Sequence, residues 1–202
     1  MRAVLCTALL IAGPLAAQAP AAVPAPGGPP SASWTTEQHI TAAVLPLPEG
    51  LRVKAAVYAW RERKLVQLRA GTNSMMCLAE DPARKNFHVA CYHRDLEPFM
   101  AAGRERTAKG LSRTAVDSAR LADIKARKWA MPARPTALYE LFAPEGAYDP
   151  AAGVLTGGSP VYVLYTPYAT EASLGVVQDG LKGGQPWLMN PGEPWAHLMI
   201  TP

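Results

Sequence analysis

Two cysteines, Cys77 and Cys91, place the tightest constraint on how this chain can fold. Each sits in a short stretch of alternating side chains, Ser74 to Ala79 and Asn86 to His93, with the breaker Asp81-Pro82 between them. If the two stretches pair antiparallel around a loop centred on Arg84, the cysteines stand directly opposite each other. Opposed residues of antiparallel strands have Cα atoms about 4.5 to 5.5 Å apart, a separation that a disulfide accepts. The same register puts Met75, Cys77 and Ala79 on one face with Phe87, Val89 and Cys91, so the bridge is expected on an apolar, buried face.

Whether such a bridge forms depends on the compartment. Arg2 leads into a largely apolar run from Ala3 to Ala12, followed by Gly13-Pro14 and the small residues to Ala19, the pattern of a secretory signal peptide over residues 1–19. The run is shorter than the 20 or so apolar residues of a membrane span, and no later stretch supplies one. The expectation is therefore an exported product, periplasmic or extracellular, with no transmembrane segment. Cys6 leaves with the leader, and Cys77 and Cys91 remain in an oxidising environment that favours their union. A competing use of the two sulfurs is a metal site with His93 and His197, but the short Cys-x-x-Cys knuckle is missing. No metal and no cofactor is expected.

Residues 20–33 (PAAVPAPGGPPSAS) offer almost nothing that can pack, and are read as a disordered Pro/Ala-rich tether. One globular domain, 34–202, then follows. The chain has 20 prolines in 202 residues, about twice ordinary usage, so many loops are expected. The net charge of +4 is uneven: residues 94–134 carry ten basic and five acidic side chains. A solvated helical face explains that surplus, and a nucleic-acid partner is not expected.

The periodicity reads as α+β. Thr35 and Gln38 form a capping box for a short helix that must stop before Pro46. From Val53 the period changes to two, giving a hairpin of strands around the polar turn Arg61 to Lys64. With Ser74 to Ala79 and Asn86 to His93, this suggests a four-stranded antiparallel meander. Flanking helices are expected at 95–109, with Pro98 in the first turn, and at 113–129 after Ser112. Further strands follow at Ala137 to Phe142, Val161 to Thr166, Trp187 to Met189 and Ala196 to Ile200.

The segment NSMMCLAEDPARKNFHVACYHRDLEPFM, residues 73–100, resembles a stretch found in a group of uncharacterised exported bacterial proteins with no assigned function, and the likeness extends loosely from Ala42 to PWAHLMI at 194–200. The resemblance implies a single exported domain and assigns no site residues.

No Gly-x-Ser-x-Gly elbow, Ser-x-x-Lys pair, His-Glu-x-x-His helix, phosphate loop or calcium loop is present. His88 and His93 are five apart on one strand and point to opposite faces. Glu140, Glu145 and Asp149 are close in sequence without a spacing that defines acid and base work. The aromatic, acidic last third suggests a stacking surface for sugar rings or a peptide, with Trp187 and Trp195 beside Tyr165 or Tyr168. The reading is thus a binding or structural domain of the cell envelope, with polysaccharide or peptide as partner. A small secreted hydrolase built around His93, His197 and nearby carboxylates is the alternative.

Overall fold

A computed structural model describes residues 31–178 and 184–202. The expected leader, and the tether up to residue 30, lie outside the described residues. The last three residues of the expected tether, Ser31–Ser33, form a 3-10 turn with Ser31 buried, and so are structured where a disordered segment is expected.

Helix α1 (Thr36–Ala43) starts at the capping box read from sequence, with Gln38 N–H donating to Thr35 Oγ1 and Thr35 N–H to Gln38 Oε1. A single turn, α2 (Glu49–Arg52), leads to strands β1 (Ala56–Arg61), β2 (Lys64–Arg69), β3 (Met75–Leu78) and β4 (Phe87–His93). After a 3-10 turn, Arg94–Leu96, come α3 (Glu97–Ala108) and α4 (Arg113–Lys125). The Ser112 hydroxyl accepts from Ala115 N–H and caps α4, which ends before the expected Trp129. Strands β5 (Thr136–Ala143), β6 (Tyr148–Asp149), β7 (Val154–Leu155) and β8 (Ser159–Tyr165) follow, then the short α5 (Glu171–Leu174), β9 (Trp187–Met189) and β10 (His197–Ile200).

The class is α+β and the sheet is mostly antiparallel, but the expected meander is not its topology. Eight strands run in the order β2-β1-β3-β4-β5-β8-β10-β9, and β1 and β3 are parallel. The cause is polarity. In a meander β2 would be an interior strand, burying Lys64, Gln67 and Arg69; instead β2 lies at the edge with Lys64, Val66 and Gln67 exposed, and Val57 and Ala59 of β1 are fully buried. After β2 the chain crosses the start of β1, with Thr72 and Asn73 N–H both donating to Lys54 O at 2.8 and 3.1 Å. Gly71 makes that crossing possible, since a Cβ there would lie 2.3 Å from the Ala56 nitrogen.

Both faces of the sheet are layered. On the first face, Ile40, Ala43, Val44 and Leu47 pack against Val57, Ala59, Met75, Cys77 and Cys91. Beside them Trp34, Ala42, Phe87, Val89, Ala143 and Tyr148 form a second cluster under the small β6–β7 sheet. On the other face α3 and α4 cover Tyr92, Leu138, Val163 and Tyr165. The helices lock together through Arg120, whose guanidinium lies 3.8 Å over the Phe99 ring and donates to the Phe99 carbonyl. Gly103 leaves the room for it.

Cys77 and Cys91 are directly paired across β3 and β4 and joined by a disulfide, with Cα atoms 4.0 Å apart, closer than the spacing expected for open strands. Both are fully buried. Cys91 Sγ touches the Ala43 carbonyl oxygen at 3.1 Å, a contact and not a hydrogen bond because a disulfide sulfur has no proton.

Candidate functional site

The ends of β4 and the starts of β3 and β5 meet at one end of the sheet. Neighbouring residues of a strand point to opposite faces, so Met75 floors a cleft on the first face and Met76 a cleft on the second. The first has a volume of about 570 Å³ and is walled by His93, Arg134 and Thr136, with Tyr139 on its floor. The second, about 780 Å³ and more open, lies between Tyr58 and the start of α3 at Glu97 and Pro98. Asp95 and Pro132 border both, forming a ridge around the sheet end.

The residues around the ridge are set by hydrogen bonds. His93 Nδ1 accepts from Asp95 N–H at 3.2 Å, which makes His93 the cap of the 3-10 turn. Asp95 Oδ2 also lies 3.5 Å from Nδ1, an ion pair only if that nitrogen carries a proton. The backbone donation has the shorter distance and regular cap geometry, so the proton of the neutral ring sits on Nε2. Tyr92 OH donates to Glu97 Oε2 at 2.6 Å, and Arg104 donates to Tyr92 OH and to Glu97 Oε1 at 3.0 and 2.6 Å. Burial, and less strongly the adjacent Glu97, pushes the Tyr92 hydroxyl far above its usual range and keeps it neutral. This trio ties α3 to β4. Arg134 has no acidic partner among the described residues.

The histidines offered for a hydrolytic site do not converge. His93 is on β4 and His197 on β10, with β5 and β8 between them, a separation of about 14 Å at roughly 4.8 Å per strand. His197 Nδ1–H donates to the Trp195 carbonyl at 2.7 Å, its ring rests on Tyr165, and burial holds its pKa below the ordinary value.

Nor do the stacking candidates form a surface. Trp195 is 6% exposed and lies against Phe99 at 6.0 Å between centroids, and Tyr165 meets the same ring edge-on at 5.7 Å. Both fill the core beneath α3. Trp187 on β9 is buried as well, and Tyr168 alone of the four is open, 60% exposed with φ at 63°. An aromatic-rich composition cannot distinguish a ring under a helix from one facing water.

The structure also assembles a pair that the sequence does not reveal. His88 Nε2–H donates to Glu140 Oε1 at 3.0 Å, Arg84 Nη1 donates to His88 Nδ1 at 2.9 Å, and the ring stacks on Phe142 at 4.4 Å. Both ring nitrogens are committed, so His88 has no lone pair for a substrate proton. The signal that unites it with Glu140 is the β4–β5 register, which joins positions 52 residues apart. Among the described residues no three His, Cys, Asp or Glu side chains are grouped to hold a metal ion, and no helix is long and apolar enough to cross a membrane.

Comparison of the chain with protein-family models, with curated proteins and with solved structures finds no match.

Proposed function

We propose that the chain is an exported, envelope-associated binding domain and that the first-face cleft between His93 and Arg134 is its ligand site. The leader-like first nineteen residues and the fully buried Cys77–Cys91 bridge support export, because a disulfide of this kind persists where thiols are oxidised. The observation that carries the binding reading is the make-up of the cleft. Met75 and Tyr139 give an apolar floor, and Tyr139 is steadied by edge contact with Tyr162 at 5.7 Å. Arg134 and His93, side chains that carry hydrogen-bond donors, stand at the walls. An aromatic floor with donors around it suits a sugar ring or a short peptide, the apolar body stacking while hydroxyls or carbonyls accept.

The test is titration of the purified protein with envelope polysaccharide fragments and with peptides, followed by calorimetry and by amide chemical shifts. Binding that perturbs Tyr139 and Arg134, and that weakens at least tenfold in both Tyr139→Ala and Arg134→Ala, is expected. Ligand-induced shifts confined to other surfaces would refute the assignment.

A further inference from the structure

His39 plays no part in the cleft, yet it is a fully buried ionisable group on the first face. Helix α1 holds it at 1% exposure against the ring of Trp34, at 5.5 Å between centroids. From the end of β1, Arg61 brings Nη1 to 3.4 Å from His39 Nε2. Nε2 therefore accepts, and the single proton of the neutral ring sits on Nδ1, which has no hydrogen-bond partner among the described residues. From β6, Tyr148 packs on the same Trp34 at 5.0 Å, and its buried hydroxyl also lacks a partner there. Other charged residues adjoin this group: Glu37, exposed on α1 itself, Asp149, next to Tyr148 on β6, and Glu62, Arg63 and Lys64, all exposed, in the turn and strand that follow Arg61. A second proton on His39 would enter beside the Arg61 guanidinium, with no acceptor for it among the described residues. Burial first, and Arg61 second, hold its pKa below the ordinary 6.5.

A protonated His39 must reach water, and the elements around it resist unequally. Helix α1 is held by Ile40, Ala43, Val44 and Leu47, all in the main first-face core. The lid over the histidine is lighter. Among the described residues it includes Trp34, which follows a single 3-10 turn, and the β6–β7 pair, two residues per strand, which forms its own sheet apart from the eight main strands. We propose that acidification releases Trp34 and the β6–β7 hairpin from the sheet as one unit, with His39 as the trigger, and so bares the apolar surface of Phe87, Val89 and Ala143. The device is independent of the ligand cleft, which lies at the sheet end formed by His93 and Thr136.

Amide hydrogen exchange followed by NMR on the full chain between pH 7.5 and 4.5 tests this, after correction for the intrinsic pH dependence of exchange. Protection at Trp34, Tyr148 and Leu155 should fall by about tenfold per pH unit below 6.5, down to the closed-state pKa of His39, and so by at most about 100-fold at pH 4.5. Cys91 and Tyr139 in the central strands should keep theirs. His39→Gln should abolish the pH response. Arg61→Met, a change at an exposed side chain, should reduce it, because the closed state then tolerates the added proton. A flat profile in the wild type overturns the proposal, as does equal loss in the central strands, or an unchanged response in either variant.

Discussion

Replacing both bridged cysteines by alanine should lower stability by an amount that the chain connectivity sets. The bond joins residues 14 apart in sequence, a closed loop of about 15 residues, whose closure removes about 10 cal/mol/K from the unfolded chain. At 25 °C this corresponds to about 3 kcal/mol, in a model that assigns the whole effect to the unfolded state. Both sulfurs lie in the packed core between α1 and the sheet, so the truncation also leaves a void, and the alanine variant should lose at least this much. For a domain of this size each kcal/mol moves the melting temperature by about 2 to 4 °C, so the double variant should melt roughly 6 to 12 °C below the oxidised wild type. Thermal melts and urea titrations measure it directly. Two controls accompany them: reduction should raise the mass of the wild type by two hydrogens, and reductant should lower its melting temperature while leaving the double variant unmoved. A variant that melts within about 2 °C of the wild type would show that the loop is already constrained in the unfolded chain and would refute the reasoning.

Trp195→Ala removes a ring packed on Phe99 and should cost about 3 to 5 kcal/mol in urea unfolding. Tyr168→Ala, at a side chain 60% exposed, should stay within about 0.5 kcal/mol; equal losses at the two sites would contradict the burial assigned to them. Glu80 supplies a pH-dependent test: burial, with Asp81 adding to it, raises its carboxyl to about 7 from an ordinary 4.5. A folded-state pKa above the unfolded value gives a contribution that is complete below pH 4.5 and is lost as pH rises through 7. Glu80→Gln should therefore gain stability relative to wild type at pH 8 compared with pH 4.5, and an identical difference at both pH values would count against the shift.

The features that the sequence determined by itself are those closed over short distances along the chain. The Cys77–Cys91 pairing needs only two alternating strands and the loop between them, and the structure pairs the two residues directly. The caps at Thr35 and Ser112 involve side chains that reach three residues ahead, so their residue types suffice. Strand order is different in kind. Val57 and Ala59 alternate as well in an edge strand as in a central one, and the placement of β1 between β2 and β3 follows from comparing the polarity of strands that compete for the interior. The contrast was present in Lys64, Gln67 and Arg69, but a local pattern does not weigh one strand against another. Trp195 and Tyr165 became core only because α3 brings Phe99 over them from about 65 to 95 positions away, a contact with no periodic trace. His88 meets Glu140, and His93 is held apart from His197, through strand register and order alone. The candidate site follows the same rule: Met75, His93, Arg134 and Tyr139 are unremarkable where each stands in the chain, and they share a cleft because β3, β4 and β5 end or begin at one end of the sheet.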